Sequence, residues 1–135
     1  MKLVVDANVF FSAFLRPGLT RRIWLDRRLR LYAPEHLLVE FSKYRRELRQ
    51  RSGLGKEDCA RLLGMLLGRA RWVKDEEMLP YAVPAAHLVP DKEDEPYVAC
   101  ALAVGADIWS NDRHLRSGRI RCWTTEELSG SLEIG

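Results

Sequence analysis

The chain opens on Leu3-Val4-Val5, an apolar run without polar alternation that ends in Asp6. Such a run predicts a central strand covered on both faces, with Asp6 at its carboxyl end. Val9, Phe10, Ala13 and Phe14 then recur at helical spacing and stop before Pro17-Gly18, which predicts a helix over 8–15. Thr20 is placed to cap a second helix reaching about Leu29, and Leu31 to Ala33 reads as a second strand. Pro34 suits the first turn of a long helix whose Leu37, Phe41, Tyr44 and Leu48 fall at i, i+4, i+7 and i+11, with Glu40 beside Phe41. Ser52 to Gly55 interrupts that helix, and Lys56 to Ala70 forms the next. Its Leu62, Leu63, Met65, Leu66 and Leu67 leave little polar face, so burial on several sides is expected, in the core or at a partner interface. Gly64 and Gly68, four apart, would permit close helix approach, within the protomer or between copies.

Trp72-Val73 reads as a short strand, and Asp75 to His87, crossed by Pro80 and Pro84, carries no clear pattern. The clearest helix is Glu95 to Val104, with Pro96 in its first turn and Gly105 as its stop. Ala106 to Ser110 predicts a strand, Asn111 to Leu115 a loop or short helix, Arg119 to Trp123 a further strand, and Thr125 to Leu132 a final helix. Strands alternating with helices imply an α/β fold: a mainly parallel sheet covered by helices on both faces, with ligands beyond the carboxyl ends of the strands.

At 135 residues, 47 % of them apolar, the chain fits one compact domain over residues 1–135. Cys59, Cys100 and Cys122 are odd in number, far apart and never spaced as CxxC, which argues against disulfides and zinc knuckles and for a reducing cytoplasm. No apolar run approaches the ~18 residues that span a bilayer, and a secretory leader is not apparent. The net charge of +3 hides an asymmetry, since residues 1–71 balance at +9 and residues 72–135 at −6. Arginines dominate the cations, in groups such as Arg21-Arg22, Arg27-Arg28-Arg30 and Arg45-Arg46-Arg49-Arg51. These are either solvated helix faces or a surface for a polyanion.

Asp6 and Asp112 follow predicted strands, Asp94 stands at the start of the clearest helix, and Glu40 reaches the same edge if its helix packs near the first strand. Each also has a plain structural role open to it: Asp6 ending a strand, Glu40 pairing with Lys43 or Arg45, Asp94 capping a helix, Asp112 opening a turn. Four carboxylates gathered together would repel unless divalent cations offset them, and oxygen-only ligation favours Mg²⁺ or Mn²⁺.

Four stretches, Val4 to Ser12, Leu38 to Phe41, Pro90 to Leu102 and Gly105 to Leu115, resemble the PIN-domain family of metal-dependent ribonucleases, which includes toxins of prokaryotic toxin-antitoxin pairs. The last two, in tandem, are the specific ones. The resemblance implies a PIN-like three-layer fold and puts the family's acids on Asp6, Glu40, Asp94 and Asp112, as catalytic residues and metal ligands, with Asn8 and Ser110 supporting. Ser110 stands where the family usually has Thr. Asp91 is a weaker candidate, Glu93 and Glu95 flank Asp94 closely, and Asp107, inside a strand, is expected to face away. The implied chemistry is hydrolysis of RNA phosphodiesters with one or two Mg²⁺ or Mn²⁺ ions, leaving 5′-phosphate and 3′-hydroxyl ends, without a side-chain nucleophile. His36, His87 and His114 lack metal-ligand spacing, and His114 is expected at the surface or on the substrate side. An antitoxin partner and a homodimer or larger symmetric assembly, formed through the 56–70 helix or its neighbours, complete the expectation. The alternatives are a housekeeping RNA-processing nuclease and a non-catalytic PIN-like binding or scaffold protein. A receiver-like signalling module fits poorly, because Asp6 has no adjacent acid and no Lys follows a late strand.

Overall fold

The computed structural model describes residues 1–112, 115 and 119–134. In chain order these form β1 (Lys2–Val5), α1 (Ala7–Leu15), α2 (Leu19–Trp24), β2 (Arg30–Pro34), α3 (His36–Ser52), α4 (Lys56–Gly68) and β3 (Ala70–Val73). There follow α5 (Asp75–Met78), a 3₁₀ turn (Leu79–Tyr81), α6 (Ala82–Leu88), a second 3₁₀ turn (Lys92–Asp94), α7 (Glu95–Val104), β4 (Asp107–Trp109), β5 (Cys122–Trp123) and α8 (Thr125–Leu132). The strands lie in the order β3-β2-β1-β4-β5, and every pair is parallel. Leu3, Val4 and Val5 are wholly buried, as a central strand covered on both faces requires. Helices α1 to α4 and α8 associate on one side, and α5 to α7 on the other. The fold is therefore the expected three-layer α/β arrangement. Strand order reverses at β1, so the crevice between the carboxyl ends of β1 and β4 is the position where such sheets bind ligands.

Several local expectations are corrected. Gly18, not Thr20, caps α2, which stops at Trp24 rather than near Leu29. The chain leaves the helix there because the Arg69 guanidinium takes up the released carbonyls, donating to Trp24 O at 3.2 Å, Asp26 O at 2.7 Å and Leu29 O at 3.2 Å. Pro34 ends β2 instead of starting α3, since pairing with Val73 carries the ladder through it and the Glu35 N–H continues to Val73 O. The unpatterned stretch Asp75 to His87 is helical in pieces, because Pro80 and Pro84 each fall within a first turn, where a backbone N–H is not needed. Helix α4 buries Leu66 completely and packs Leu62, Leu63 and Leu67 partly against the core, but leaves Met65 53 % exposed. A Cβ at Gly64 or Gly68 would meet nothing within 4 Å, so neither glycine marks a close helix approach within the protomer. At Gly105 the expectation holds: φ of +66° closes α7 in the left-handed region that glycine enters freely.

Above one face of β1 and β4, Trp24 packs 5.5 Å from Phe10 and 6.0 Å from Trp109 between ring centroids, and Phe41 meets Phe10 edge-on at 5.5 Å. Burying these rings requires partners for their polar atoms, so Trp24 Nε1 donates to Leu66 O and Trp109 Nε1 to Thr125 Oγ1. Some arginines serve the fold in the same way. Arg21 donates to Ala13 O and Phe14 O at the end of α1, and Arg28 joins Asp26 to Leu132 O. Arg69→Ala is expected to lower unfolding free energy by about 2 kcal/mol in urea titration, with Arg69→Lys recovering less than half, because an ammonium cannot span three carbonyls as the planar fork does.

Candidate active site at the carboxyl edge of the sheet

Asp6 leaves β1 and at once caps α1: its Oδ1 accepts the Val9 N–H at 2.8 Å. Its Oδ2 accepts the hydroxyl of Ser110, which stands just past the end of β4. Asp6 is 7 % exposed and Ser110 is fully buried, an unusual depth for a carboxylate. Ser110 Oγ also accepts the Asp112 N–H at 3.0 Å, so a single hydroxyl ties the Asp6 carboxylate to the backbone of Asp112. Burial pushes the Asp6 carboxyl up to about 6. The hydrogen bonds from Ser110 and Val9 pull the other way, and the charges of Asp112 and Asp94 add to the rise. Asp94, at the start of α7, and Asp112, in the loop after β4, thus lie near enough to Asp6 for their charges to act on it at the strand-order reversal.

Asp94 occupies the capping position of α7, yet its side chain makes no capping hydrogen bond there. Within the same loop Asp91 is used locally, accepting the Glu93 N–H at 2.9 Å, while Glu93 is exposed and Glu95 faces a groove lined by α3, α5 and α6. Asp107 accepts Trp123 Nε1 at 2.9 Å and so fastens β5 to β4, away from the acids. Glu40 pairs neither with Lys43 nor with Arg45. Its Oε1 accepts the Tyr97 hydroxyl at 2.8 Å and lies 3.0 Å from His36 Nε2, a contact without hydrogen-bond alignment. Burial, reinforced by the Glu40 bond and by the charges of Glu40 and Asp6, raises the Tyr97 pKa far above its ordinary value, so the phenol remains a donor. Tyr97 therefore holds Glu40, on α3, while lying near enough to Asp6 to feel its charge. Asn8 is exposed and shares with Glu40 a groove between α1 and α3. His114 lies outside the described residues, and with it part of the 111–115 segment.

Sequence reading passed over Tyr97 and the placement of His36. Both carry a faint signal in helical spacing: Tyr97 follows Asp94 by three residues, and His36 precedes Glu40 by four.

A family model described as PIN domain matches residues 4–133. The chain belongs to the PIN-domain family. A crystal structure of PAE2754 from Pyrobaculum aerophilum superposes with a TM-score of 0.66 at 19 % identity, covering 100 % of this chain and 91 % of that one, a likeness of fold. No curated protein matches the chain. PIN domains are generally nucleases that use divalent metal ions, so hydrolysis of nucleic-acid phosphodiesters is the coarse chemistry of this one.

Among the described residues no three Asp, Glu, His or Cys side chains close around one point. The all-oxygen character of Asp6, Asp94 and Asp112 nevertheless suits a hydrated Mg²⁺ or Mn²⁺, which keeps several waters and takes one or two carboxylates. The charge that Asp94 and Asp112 bring to bear on Asp6 is what a cation would relieve.

The raised Asp6 pKa has a defined consequence for the metal-free PIN domain. Between pH 3.8 and about 6 the folded state keeps a proton that the unfolded chain has lost, so stability falls as pH rises through that window. Urea denaturation in EDTA is expected to show a decline on the order of 2 kcal/mol that Asp6→Asn removes, since asparagine still caps α1 through its amide oxygen.

Proposed function

We propose that this PIN domain is a Mg²⁺- or Mn²⁺-dependent endoribonuclease that hydrolyses RNA to 5′-phosphate and 3′-hydroxyl ends. The observation that supports it is the buried Asp6 at the strand-order reversal, its pKa raised further by the charges of Asp94 and Asp112 nearby. In this reading Asp6, Asp94 and Asp112 hold the cation, with Glu40 as a further acidic ligand and Asn8 at the rim. When bound, the cation would lower the pKa of a water and offset charge on the scissile phosphate. Ser110 fixes the Asp6 carboxylate, and Tyr97 fixes Glu40 by a hydrogen bond. Arg45, Arg46 and Arg49 share the far face of α3 with Ser42 and Gln50 and enter no ion pair with a described residue. They suit the flanking phosphates, unlike Arg21, Arg28 and Arg69, which are engaged with backbone carbonyls. Single-stranded RNA incubated with the protein is expected to be cut only with Mg²⁺ or Mn²⁺. Asp94→Asn and Asp112→Asn should each lower the rate at least 100-fold without unfolding, read by gel and circular dichroism. Cleavage persisting in excess EDTA would refute the mechanism.

The reading extends to a toxin role with an antitoxin partner, in a reducing cytoplasm that suits three free cysteines, and to self-association. For the last, the supporting surface is less α4 than the cluster Leu38, Val39, Leu79 and Val83, all exposed, of which the first three border a groove of about 540 Å³. We assign that surface to a second copy of the chain. Val39→Asp with Leu79→Asp is expected to halve the mass seen in sedimentation equilibrium at micromolar concentration.

A further inference from the structure

A second groove, of about 450 Å³, begins at the acids and runs along the seam of α1 and α3. Its walls follow from helical spacing. On α1, Asn8, Phe11, Ser12 and Leu15 share one stripe, with Arg16 lining the groove just past the helix end, and on α3, Glu40, Tyr44, Glu47 and Arg51 share another. Both helices start at the carboxyl edge of the sheet, so Asn8 and Glu40 mark the acidic end and Arg16 and Arg51 the far end. At 1.5 Å per residue, Glu40 and Arg51 are separated by about 16 Å along α3.

Midway, Tyr44 is 47 % exposed and meets Phe11 edge-on at 5.9 Å. The contact fixes the ring while leaving aromatic surface open to solvent. Arg16 and Arg51 are exposed and form no ion pair with a described residue. An aromatic platform followed by guanidiniums, in a groove leading to a nuclease site, has the composition that single-stranded nucleic acid needs: a stacking face for a base and cations for the backbone. The carboxylate of Glu47, within one turn of Tyr44 on the same stripe, would repel a phosphate. It would instead accept hydrogen bonds from a base edge, and guanine, with adjacent ring and amino N–H donors, satisfies both of its oxygens.

We propose that the α1–α3 groove is the subsite for the RNA strand beside the scissile phosphate, with one base stacked on Tyr44, guanine preferred through Glu47, and the following phosphates on Arg16 and Arg51. The proposal rests on the ribonuclease reading and deepens it.

The test is fluorescence anisotropy of short labelled single-stranded RNAs with the full chain in EDTA, where binding is read apart from cleavage. Tyr44→Ala is expected to weaken binding roughly tenfold, with Tyr44→Phe staying within about twofold of the parent. Arg16→Ala and Arg51→Ala should each reduce the slope of log affinity against log salt by about 0.7. Glu47→Gln should erase the advantage of a G-containing strand over oligo(U). Parental affinity in Tyr44→Ala and Arg51→Ala would overturn the proposal. So would variants that change the sedimentation mass but leave RNA affinity intact, which would assign the groove to a protein partner. The two readings fail separately. Cleavage by the parent with an unaffected Tyr44→Ala removes the groove alone, whereas Tyr44-dependent binding by a parent that never cleaves removes the nuclease reading and leaves the groove.

Discussion

The molecule is organised around a carboxylate buried where two parallel strands end. Register pairs Val5 with Trp109, so the next residue of each strand, Asp6 and Ser110, emerges beside the other. The hydroxyl then satisfies one Asp6 oxygen and the first turn of α1 satisfies the second. Desolvation still outweighs both hydrogen bonds, which is why the acid holds its proton more tightly than a surface aspartate. A group in that condition stores an electrostatic demand that a cation can meet, and the neighbouring Asp94 and Asp112 increase it.

A second contact spans the layers. Glu40 belongs to the helices on one side of the sheet and Tyr97 to those on the other, and their hydrogen bond passes over the carboxyl edge. Asp6 is fixed by a serine and by the backbone, and Glu40 by a phenol whose proton is held firmly, so their positions depend on packing of the sheet and not on loop conformation.

The arginines show how a single composition serves two purposes. The excess of cations in the first half suggests a polyanion surface, yet Arg21, Arg28 and Arg69 are engaged with backbone carbonyls at helix ends and loops. Those on α3 and at the end of α1 retain guanidiniums facing solvent, on opposite sides of the same helix as well as in the groove that reaches the acids. Exposed aromatic surface accompanies the groove and not the far face, which distinguishes a site for a base from a track for phosphates.

Local pattern was enough for the elements whose cause is local. The β-branched run of β1, the Pro and Gly that bound α7, and the capping box of Thr124 and Glu127 that starts α8 each act within a few residues, and the strand–helix alternation required a parallel sheet. Strand ends likewise pointed to Asp6 and Asp112, because a doubly wound sheet presents ligand sites at such ends. Tertiary structure decided what depends on contacts across the chain. Pro34 joined a strand because Val73 pairs with it, and α2 ended early because Arg69, more than 40 residues away, donates to the Trp24 carbonyl at its end. Glu40 faced Tyr97 in preference to the basic residues beside it in sequence. Helical spacing fixes which side chains share a stripe, but which stripe meets which is set by packing of the layers, and that packing is written in no single segment.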